Sequence, residues 1–546
     1  AILPFENKGA EADEFYAYGI SSDLITDVTG AGMIRVASLS DVEKLDYKNI
    51  KNSELAKDLF VRYVAKGTLW KMDTMFQLSM EIFDTKESKV VYNKRWQTAW
   101  KDLATIKDDL SDNILETLEI EILQDSENQI VESNPEAYEY YLRAKHKYAK
   151  RENIDDIELI RGLLNKAIEI DENLILAITA LAITYTEVGE YDKAMELNNA
   201  ALKQSEEIGD KGGIGQSLIN IGNVYYYKNE IEMSLDYFYK TLAVFEEIGA
   251  KAGMGLILNN IGVINSHRGD LDKALDYHER SLAIKDELGD KRGIGNSLGN
   301  IGLVYEKKGD LNDALNYYER SLAIRDELGD KRGIGTVFAN LGALHWKKGD
   351  LNSALDYLNQ GLKIDTELGD KRGMSLSLSS IGIGHWYKGE LNKALDYYER
   401  SLAIQEEIDD KNGMAENHNN IGNVYHNKGN YEMALKYLEN SLSIQKEIDV
   451  SAEVLLVTIT SLYLTYKHLG KDYDENEINN LIKKSQKIKY ELNFRLYELL
   501  EDKSYLENAH TQLQNKADEM DHEMKDKFLN YPIQKQIIEA WQKIQS

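Results

Sequence analysis

Asparagine recurs at one fixed position of a repeating pattern, and its side chain is the clearest candidate for binding chemistry in this sequence. The members of this asparagine column lie 40 residues apart, or a multiple of 40, and are Asn220, Asn260, Asn300, Asn340 and Asn420. A primary amide offers both donors and an acceptor, so the column suits hydrogen bonding to a peptide main chain of any sequence. The structural alternative is that each amide joins one repeat to the next, because buried polar groups are normally paired.

Arginine forms a second column with the same spacing, at Arg292, Arg332 and Arg372. Guanidinium groups bind carboxylates through paired hydrogen bonds, so this arginine column predicts an acidic peptide or a C-terminal carboxylate as ligand. The favoured alternative is structural. In it, the cations at positions 291 and 292 pair with Asp286 and Glu287 at the end of the preceding helix, although exposed pairs of this kind are weak.

Two tryptophans, Trp346 and Trp386, lie beside a core position of the repeat, 40 residues apart. Large aromatic side chains at the edge of a binding groove commonly act as anchors for a partner. The favoured alternative is that both rings pack between neighbouring repeats.

No set of residues in the sequence has the spacing of a catalytic, cofactor or metal site. The Gly-Ile-Gly tripeptide at 293–295 follows a predicted helix rather than a strand, and no Gly-Lys-Ser or Gly-Lys-Thr completes a phosphate-binding loop. His345 and His385 occupy a core position of the repeat. His418 and His426 lie roughly 80° apart around one helix, with no carboxylate at ligand spacing. The sequence therefore predicts a protein without catalytic residues, cofactor or metal.

The composition excludes several functional classes. The chain has 546 residues with 93 acidic and 65 basic side chains, a net charge of −28, which disfavours nucleic acid and anionic membranes as partners. It has no cysteine, which excludes disulfides and thiolate chemistry, and only 3 prolines, which favours a helix-rich fold. No apolar run approaches the roughly 20 residues of a membrane helix. We therefore expect a cytoplasmic protein.

The repeat predicts pairs of helices. The motif Gly-Asp-Lys-Arg-Gly begins at Gly289, Gly329 and Gly369. Within one unit, Asp290 caps a first helix that Gly309 ends, and Asp310 caps a second helix that ends at Gly329. Basic residues concentrate on the first helix and acidic residues on the second. One such unit is too small to bury its apolar face, so the units must stack.

These units resemble the tetratricopeptide repeat. Asn-Ile-Gly-Leu-Val-Tyr at 300–305, followed by Ala314, Tyr318 and Ser321, matches its pattern, although the length is 40 rather than 34 residues and the terminal proline is missing. In both respects these units resemble the repeats of kinesin light chains. The resemblance implies a mainly α fold, a right-handed superhelix of helical hairpins whose first helices line a concave groove. It also implies that the asparagines bind the backbone of an extended peptide.

The first 125 residues do not repeat. Strand-like runs are predicted at 2–5, 34–39, 63–69, 76–83 and 89–96, and helices at 14–29 and 103–123, which indicates a small α/β domain. The opening Ala-Ile-Leu-Pro-Phe-Glu-Asn and the later Arg-Tyr-Val and Lys-Gly-Thr segments resemble the TolB-like amino-terminal module. That module is found in bacterial signalling proteins between an effector domain and tetratricopeptide repeats. The start at Ala1 looks like a cut within such a longer chain.

The sequence thus predicts four regions: a TolB-like α/β module at 1–125, divergent hairpins at 126–208, six regular hairpins at 209–448, and degenerate hairpins with a helical C-terminal cap at 449–546. We expect a non-catalytic regulatory or scaffold protein of bacterial signalling that binds a protein or peptide in the groove. The alternative is the C-terminal regulatory region of a class III nucleotide cyclase, a kinase or a transcription regulator whose effector domain precedes Ala1. Association of the chain with itself is a further alternative for the partner.

Overall fold

The computed structural model describes residues 1–30, 36–43, 45–59, 61–118, 134–151, 155–485, 488–520 and 522–545. Within these residues there are 26 α-helices and one four-stranded sheet. They form two compact units, Ala1–Val304 and Tyr305–Ser546. Tandem hairpins of this kind are typical of a tetratricopeptide superhelix, so the predicted mainly α class with a small N-terminal α/β domain is confirmed.

The N-terminal sheet consists of four strands in the order β1-β2-β3-β4. Their bounds are β1 Glu6–Asn7, β2 Tyr63–Met72, β3 Met75–Asp84 and β4 Lys89–Ala99. β1 pairs with β2 in parallel, and the other two pairs are antiparallel. Along β3, Phe76, Leu78, Met80 and Ile82 are buried while their neighbours are half-buried, which is the period of two that predicted this strand. Four helices complete the domain: α1 Glu14–Gly30, α2 Leu39–Glu43, α3 Asn52–Asp58 and α4 Ile106–Thr117.

Three of the element predictions for this domain need correction. Residues 36–38 are irregular and Leu39 begins α2, so the described part of the predicted strand at 34–39 is not a strand, and positions 34 and 35 lie outside the described residues. In the segment 2–5, Ile2 forms only an isolated bridge to Ala65, because the paired strand begins later, at Glu6. The helix predicted from 103 begins at Ile106, after a short 3-10 turn.

Nine helical hairpins follow the sheet domain in the described part of the chain. Their helices are α5 Pro135–Ala149, α6 Asp155–Ile170, α7 Ile175–Glu187, α8 Tyr191–Ile208, α9 Lys211–Tyr227, α10 Ile231–Glu247, α11 Lys251–Arg268, α12 Leu271–Glu287, α13 Lys291–Lys308, α14 Leu311–Glu327, α15 Lys331–Lys347, α16 Leu351–Leu368, α17 Lys371–Tyr387, α18 Leu391–Glu407, α19 Lys411–Asn427, α20 Tyr431–Glu447, α21 Ala452–His468 and α22 Glu475–Lys484. The odd-numbered members are the first helices of their hairpins.

The predicted helix boundaries are largely confirmed. Asp290 Oδ1 accepts a hydrogen bond from the backbone N–H of Gly293 over 3.0 Å, as an N-cap should. Gly309 has a φ of +91°, the left-handed conformation that ends a helix. Asp310 occupies the N-cap position of α14, but its side chain makes no capping hydrogen bond. The capping role predicted for that aspartate is therefore wrong.

Glycine within the first helices allows close contact with the second helices. A Cβ atom at Gly382 would lie 2.7 Å from the ring of Tyr398, and one at Gly262 would lie 2.7 Å from the ring of His278. Real Cβ atoms do not approach other atoms so closely, so any larger residue at these positions would separate the two helices.

The sheet domain and the first hairpins share one hydrophobic core. Ile20 and Leu24 of α1 and Phe76 of β3 belong to the same buried cluster as Tyr138 of α5 and Leu164 of α6. Asp23 of α1 accepts hydrogen bonds from the hydroxyl of Tyr138, the hydroxyl of Tyr141 and the ammonium of Lys145. The N-terminal domain is thus packed onto α5 rather than tethered to it.

Four further helices end the chain: α23 Tyr490–Leu500, α24 Lys503–Asp518, α25 His522–Leu529 and α26 Pro532–Gln545. α26 begins at Pro532, a residue that starts a helix more readily than it continues one. Tyr490, Phe494, Leu506, Leu513, Phe528 and Ile537 form a core of their own. Among the described residues, no helix combines the length and the apolar character needed to cross a bilayer.

A candidate partner-binding surface on the first helices

The asparagine column lies on the first helices, one position before the buried residue that precedes the close-contact glycine. Asn220 is buried, and Asn260, Asn300, Asn340 and Asn420 are half-buried. The column thus borders the core without belonging to it. We call the side of the first helices that carries this column the first-helix surface.

In the first unit, one asparagine of the column joins two hairpins. Asn300 Nδ2 donates to Asn259 Oδ1 over 3.0 Å and links α13 to α11. Asn220 Oδ1 accepts from Gln216 over 3.1 Å, while its own Nδ2 is buried without a partner in the described chain. The Asn260 side chain makes no hydrogen bond within the described residues.

In the second unit, the column has no partner of its own within the described residues. Asn340 makes no side-chain hydrogen bond there, and Asn420 Nδ2 is buried and unpaired. The adjacent His418 Nδ1 and Asn419 Oδ1 are also buried without a partner. Buried polar atoms are normally paired, so this cluster on α19 is exceptional.

The arginine column divides into one paired and two unpaired residues. Arg292 Nη1 lies 2.5 Å from Asp41 Oδ1 of α2, so the predicted pairing of this arginine with Asp286 or Glu287 is wrong. Arg332 and Arg372 are exposed, and their guanidinium groups have no ion-pair or hydrogen-bond partner in the described part of the chain.

The segregation of charge between first and second helices has a structural cause. In five hairpins, a lysine at the start of the first helix reaches a glutamate 36 residues later, at the end of the second helix of the same hairpin. These pairs are Lys211–Glu247, Lys251–Glu287, Lys331–Glu367, Lys371–Glu407 and Lys411–Glu447. A basic residue at the end of the first helix reaches back 36 residues to the preceding hairpin, in the pairs Lys228–Asp192, Arg268–Glu232, Lys348–Asn312, Lys388–Asn352 and Lys428–Asn392. These basic residues therefore hold helices together at the surface, whereas Arg332 and Arg372 of the arginine column have no partner among the described residues.

Sequence reasoning missed a polar contact between successive hairpins. A residue near the end of a second helix bonds to one 12 or 13 positions later in the next first helix, in the pairs Lys285–Ser297, Asp365–Ser377, Gln405–Asn417 and Gln445–Thr458. At the equivalent positions Phe245 and Ile257 share an apolar core. The signal in the sequence is that both positions are polar in four of these pairs and both are apolar at Phe245 and Ile257, although Arg325 and Val337 break the pattern. Burial lowers the pKa of Lys285 to about 8.

The two tryptophans meet at Tyr387. The ring of Trp346 lies 4.8 Å from that of Tyr387 and the ring of Trp386 lies 5.0 Å from it, both edge to face. Arg495 of α23 places its guanidinium 5.9 Å from the ring of Trp386. The tryptophans therefore lie where the C-terminal helices contact α15 and α17.

The described residues contain no group of three or more histidine, aspartate, glutamate or cysteine side chains that could hold a metal ion. The polar atoms of the first-helix surface are amides and guanidiniums, which bind through hydrogen bonds and charge.

Comparison with known proteins identifies the repeat. The family model for the tetratricopeptide repeat matches residues 174–247, 253–327, 300–367, 333–407 and 373–447. A curated relative, putative adenylate cyclase 3 of Rhizobium meliloti (strain 1021), is 22% identical over 187 residues, which cover 34% of this chain and 32% of the relative. The chain thus spans about a third of the length of that relative.

Two solved structures are similar over most of the chain. One is a signal transduction ATPase with numerous domains and a tetratricopeptide repeat sensor, from Pyrococcus horikoshii, with 15% identity over 70% of this chain and 55% of that chain and a TM-score of 0.49. The other is aspartyl phosphate phosphatase F from Bacillus subtilis, with 14% identity over 62% of this chain and 88% of that chain and a TM-score of 0.42.

Proposed function

Because residues 174–247 and 253–447 consist of tetratricopeptide repeats, we propose that this chain is a non-catalytic regulatory or scaffold protein that binds a protein or peptide on its first-helix surface. The observation that supports this function best is the set of amides without an intramolecular partner. Asn260 and Asn340 are half-buried and make no side-chain hydrogen bond in the described chain, and Asn420 Nδ2 is buried and unpaired. Leaving a buried group such as Asn420 Nδ2 unpaired costs free energy that a ligand with a complementary acceptor recovers, and the half-buried amides of Asn260 and Asn340 are available for hydrogen bonds to the same ligand.

The chemistry of this surface favours an extended main chain with acidic side chains or a free carboxylate. Amides bind peptide groups whatever the side chains are, and Arg332 and Arg372 supply two cations that no described residue neutralises. The net charge of −28 does not oppose such a ligand locally, because the acidic second helices are engaged with lysines of the first helices.

The test begins with affinity capture from native lysate, with the chain as bait, followed by mass spectrometry to identify the partner. Asn260→Ala combined with Asn340→Ala should then reduce affinity for that partner at least tenfold while the melting temperature stays near that of the unaltered chain. Asn300→Ala is the structural comparison, because it removes the bond to Asn259 and should lower stability instead. Asn316→Ala, an exposed asparagine of the second helix α14, is the matched control. Unchanged affinity in the double variant would refute the amide site.

The role proposed for the two arginines has its own test. Arg332→Glu and Arg372→Glu should weaken binding most at low ionic strength, because exposed charges are screened by salt. Arg320→Glu, an exposed arginine of the second helix α14, controls for net charge. Equal affinity across ionic strengths for all three variants would remove the acidic ligand from the proposal.

A second candidate function is supported by the relative named putative adenylate cyclase 3. In this interpretation the chain is the regulatory region of a class III nucleotide cyclase, a kinase or a transcription regulator, with a TolB-like module at 1–125 behind an effector domain. The reading frame upstream of Ala1 decides it. A cyclase domain there should convert ATP to cyclic AMP in the full-length protein, whereas the isolated chain should show no turnover.

A further inference from the structure

We propose that the first-helix surface of α17 and α19 is a receptor for amphipathic helices, and that the C-terminal segment α23–α26 is its resident ligand, which a helical partner must displace. This inference rests on the proposed function, since it concerns the same first-helix surface. It adds that the ligand bound at α17 and α19 is helical. It also adds that the chain's own C-terminal segment restricts access to this part of the surface.

One face of α23 contacts three successive first helices. Glu491 Oε1 accepts a hydrogen bond from the Tyr387 hydroxyl of α17 over 2.7 Å. Arg495 Nη1 donates to Asn423 Oδ1 of α19 and to Ser461 Oγ of α21, both over 2.6 Å. Because Glu491 and Arg495 are four positions apart, they lie on one side of α23. α23 therefore runs across the first helices instead of stacking after α22 as a further hairpin.

The rest of the segment covers the ends of α15 and α17. The Tyr531 hydroxyl donates to the carbonyl oxygen of Gly349 over 3.3 Å. A Cβ atom at Gly349 would lie 3.0 Å from Met520 Sδ, and one at Gly389 would lie 3.0 Å from the ring of Pro532. Lys516 and Tyr490 line a narrow cavity together with Trp346. The segment therefore occupies the surface that the two tryptophans border.

The polar part of this contact is incompletely paired. Arg495 meets neutral oxygens and an aromatic ring, with no carboxylate within ion-pair distance among the described residues. Trp386 Nε1 and Gln534 Oε1 are buried without hydrogen-bond partners in the described chain. Meanwhile α23–α26 keep a core of their own. Because unpaired buried groups cost free energy, separating this part of the contact costs less than separating a fully paired one.

Apolar contacts also hold the segment in place, and their strength determines what fraction of chains is open. Leu496 and Leu499 of α23 are buried in the core formed by α20, α21 and α22. Opening must separate this contact, so the closed state dominates in the absence of a partner. A helical partner gains access only by binding the open state more tightly than the closed one, and its apparent affinity falls by the fraction of chains that are open.

The test uses hydrogen exchange on the full chain without any partner. A negative result would therefore not contradict the proposed binding of a protein or peptide on the first-helix surface. Amides of α23–α26 should exchange at least tenfold faster than those of α15–α20, through an opening smaller than global unfolding. Arg495→Ala should accelerate exchange in α23–α26 a further tenfold and leave α15 and α16 unchanged. Lys503→Ala, an exposed position at the start of α24, is the control. Exchange of both regions at one common rate in all three proteins would overturn the proposal.

A second measurement tests the receptor itself. The probe is a fluorescein-labelled synthetic peptide with the sequence of residues 488–518, added to the full chain. It should bind the Arg495→Ala chain at least tenfold more tightly than the unaltered chain, because the resident helix competes less. Phe528→Asp, which disturbs the segment at a different contact, should have the same effect and guards against a local artefact of the arginine change. If the peptide binds the unaltered, Arg495→Ala and Phe528→Asp chains with equal affinity, or binds none of them, this surface is not a receptor for helices.

Discussion

The Tyr387 hydroxyl donates a hydrogen bond to Glu491 Oε1 over 2.7 Å, and the two residues are 104 positions apart in the sequence. The ring of Tyr387 also lies between those of Trp346 and Trp386. Burial raises the pKa of Tyr387 well above its ordinary value, so the hydroxyl stays a donor throughout the neutral range. This tyrosine therefore joins α17 to the C-terminal helices that cover it.

Tyr387→Phe should destabilise the chain by about 1–2 kcal/mol, because the ring packing is retained while a charged acceptor loses its donor. Urea unfolding followed by circular dichroism measures this change. A double-mutant cycle with Glu491→Ala should give a coupling of at least about 0.5 kcal/mol for residues in contact. Strict additivity of the two changes would mean that the hydrogen bond contributes nothing.

The buried His278 should make stability depend on pH. Burial lowers its pKa to about 4, against 6.5 in the unfolded chain. The unfolded state therefore binds more protons between these two values, so stability is lost as the pH falls from 6.5 towards 4. The shift corresponds to a loss of roughly 3 kcal/mol at the acid end of that window. Chemical unfolding at a series of pH values measures it.

His278→Phe is the matched control for that prediction, because Phe238 occupies the equivalent position of the preceding hairpin and packs against Gly222 as His278 packs against Gly262. The variant loses the contact between His278 Nδ1 and Asn259. Its stability should fall less steeply than that of the unaltered chain between pH 6.5 and 4. If the two proteins have the same slope, protonation of this histidine does not limit acid stability.

Asn417 should be the most sensitive polar position between two hairpins. Its Nδ2 donates to Ser401 Oγ and to Gln405 Oε1, both over 2.7 Å, and its Oδ1 accepts from Ser379. Asn417→Ala removes this partner from Gln405 Oε1 and from the Ser379 hydroxyl, while Ser401 keeps its hydrogen bond to the Ser375 carbonyl oxygen, so we expect a loss of about 3 kcal/mol in unfolding free energy. Asn412→Ala, at an exposed position of the same helix, should cost under about 0.5 kcal/mol.

An apolar replacement of the whole pair should restore much of this stability. Gln405→Phe with Asn417→Ile copies Phe245 and Ile257, which occupy the equivalent positions four hairpins earlier and share a core. A glycine lies beside each site, Gly413 beside Gln405 and Gly253 beside Phe245, but the ring of Phe245 also packs against Gly215, whose equivalent is Ser375. Ser375→Gly is therefore added to the two changes to make room for the ring. A triple variant less stable than Asn417→Ala would show that the two interfaces are not interchangeable.

The sequence predicted the features that repeat. The 40-residue period placed the hairpins, and Asp290 and Gly309 marked the helix ends correctly because these signals act over a few residues. The alternation of apolar residues at every second position identified β3 for the same reason. The contacts between Arg292 and Asp41 and between Tyr387 and Glu491 could not be predicted, because they join repeats to segments that do not repeat and depend on how the chain folds back. The site predictions fell between these cases: the position of the asparagine column follows from the repeat, whereas its hydrogen-bond partners differ from one hairpin to the next.

Asp23 should be the polar residue on which the attachment of the N-terminal domain depends most. It is buried in α1 and accepts hydrogen bonds from the Tyr138 and Tyr141 hydroxyls and from Lys145, all in α5. Burial raises the pKa of both tyrosines, so they remain donors. Asp23→Ala leaves two hydroxyls and one ammonium without their acceptor, and we expect a loss of about 3–5 kcal/mol.

Thermal unfolding measures this loss, with Asp58→Ala as the control because Asp58 is exposed in α3 of the same domain. The melting temperature of Asp23→Asn should lie between those of Asp23→Ala and Asp58→Ala, since an amide oxygen can accept some of the hydrogen bonds but cannot balance the ammonium charge. The unaltered N-terminal domain shares its core with α5 and α6, so it should unfold together with them, and Asp23→Ala should separate the two transitions. A single transition displaced no further than that of Asp58→Ala would mean that the apolar core alone holds the domain on α5.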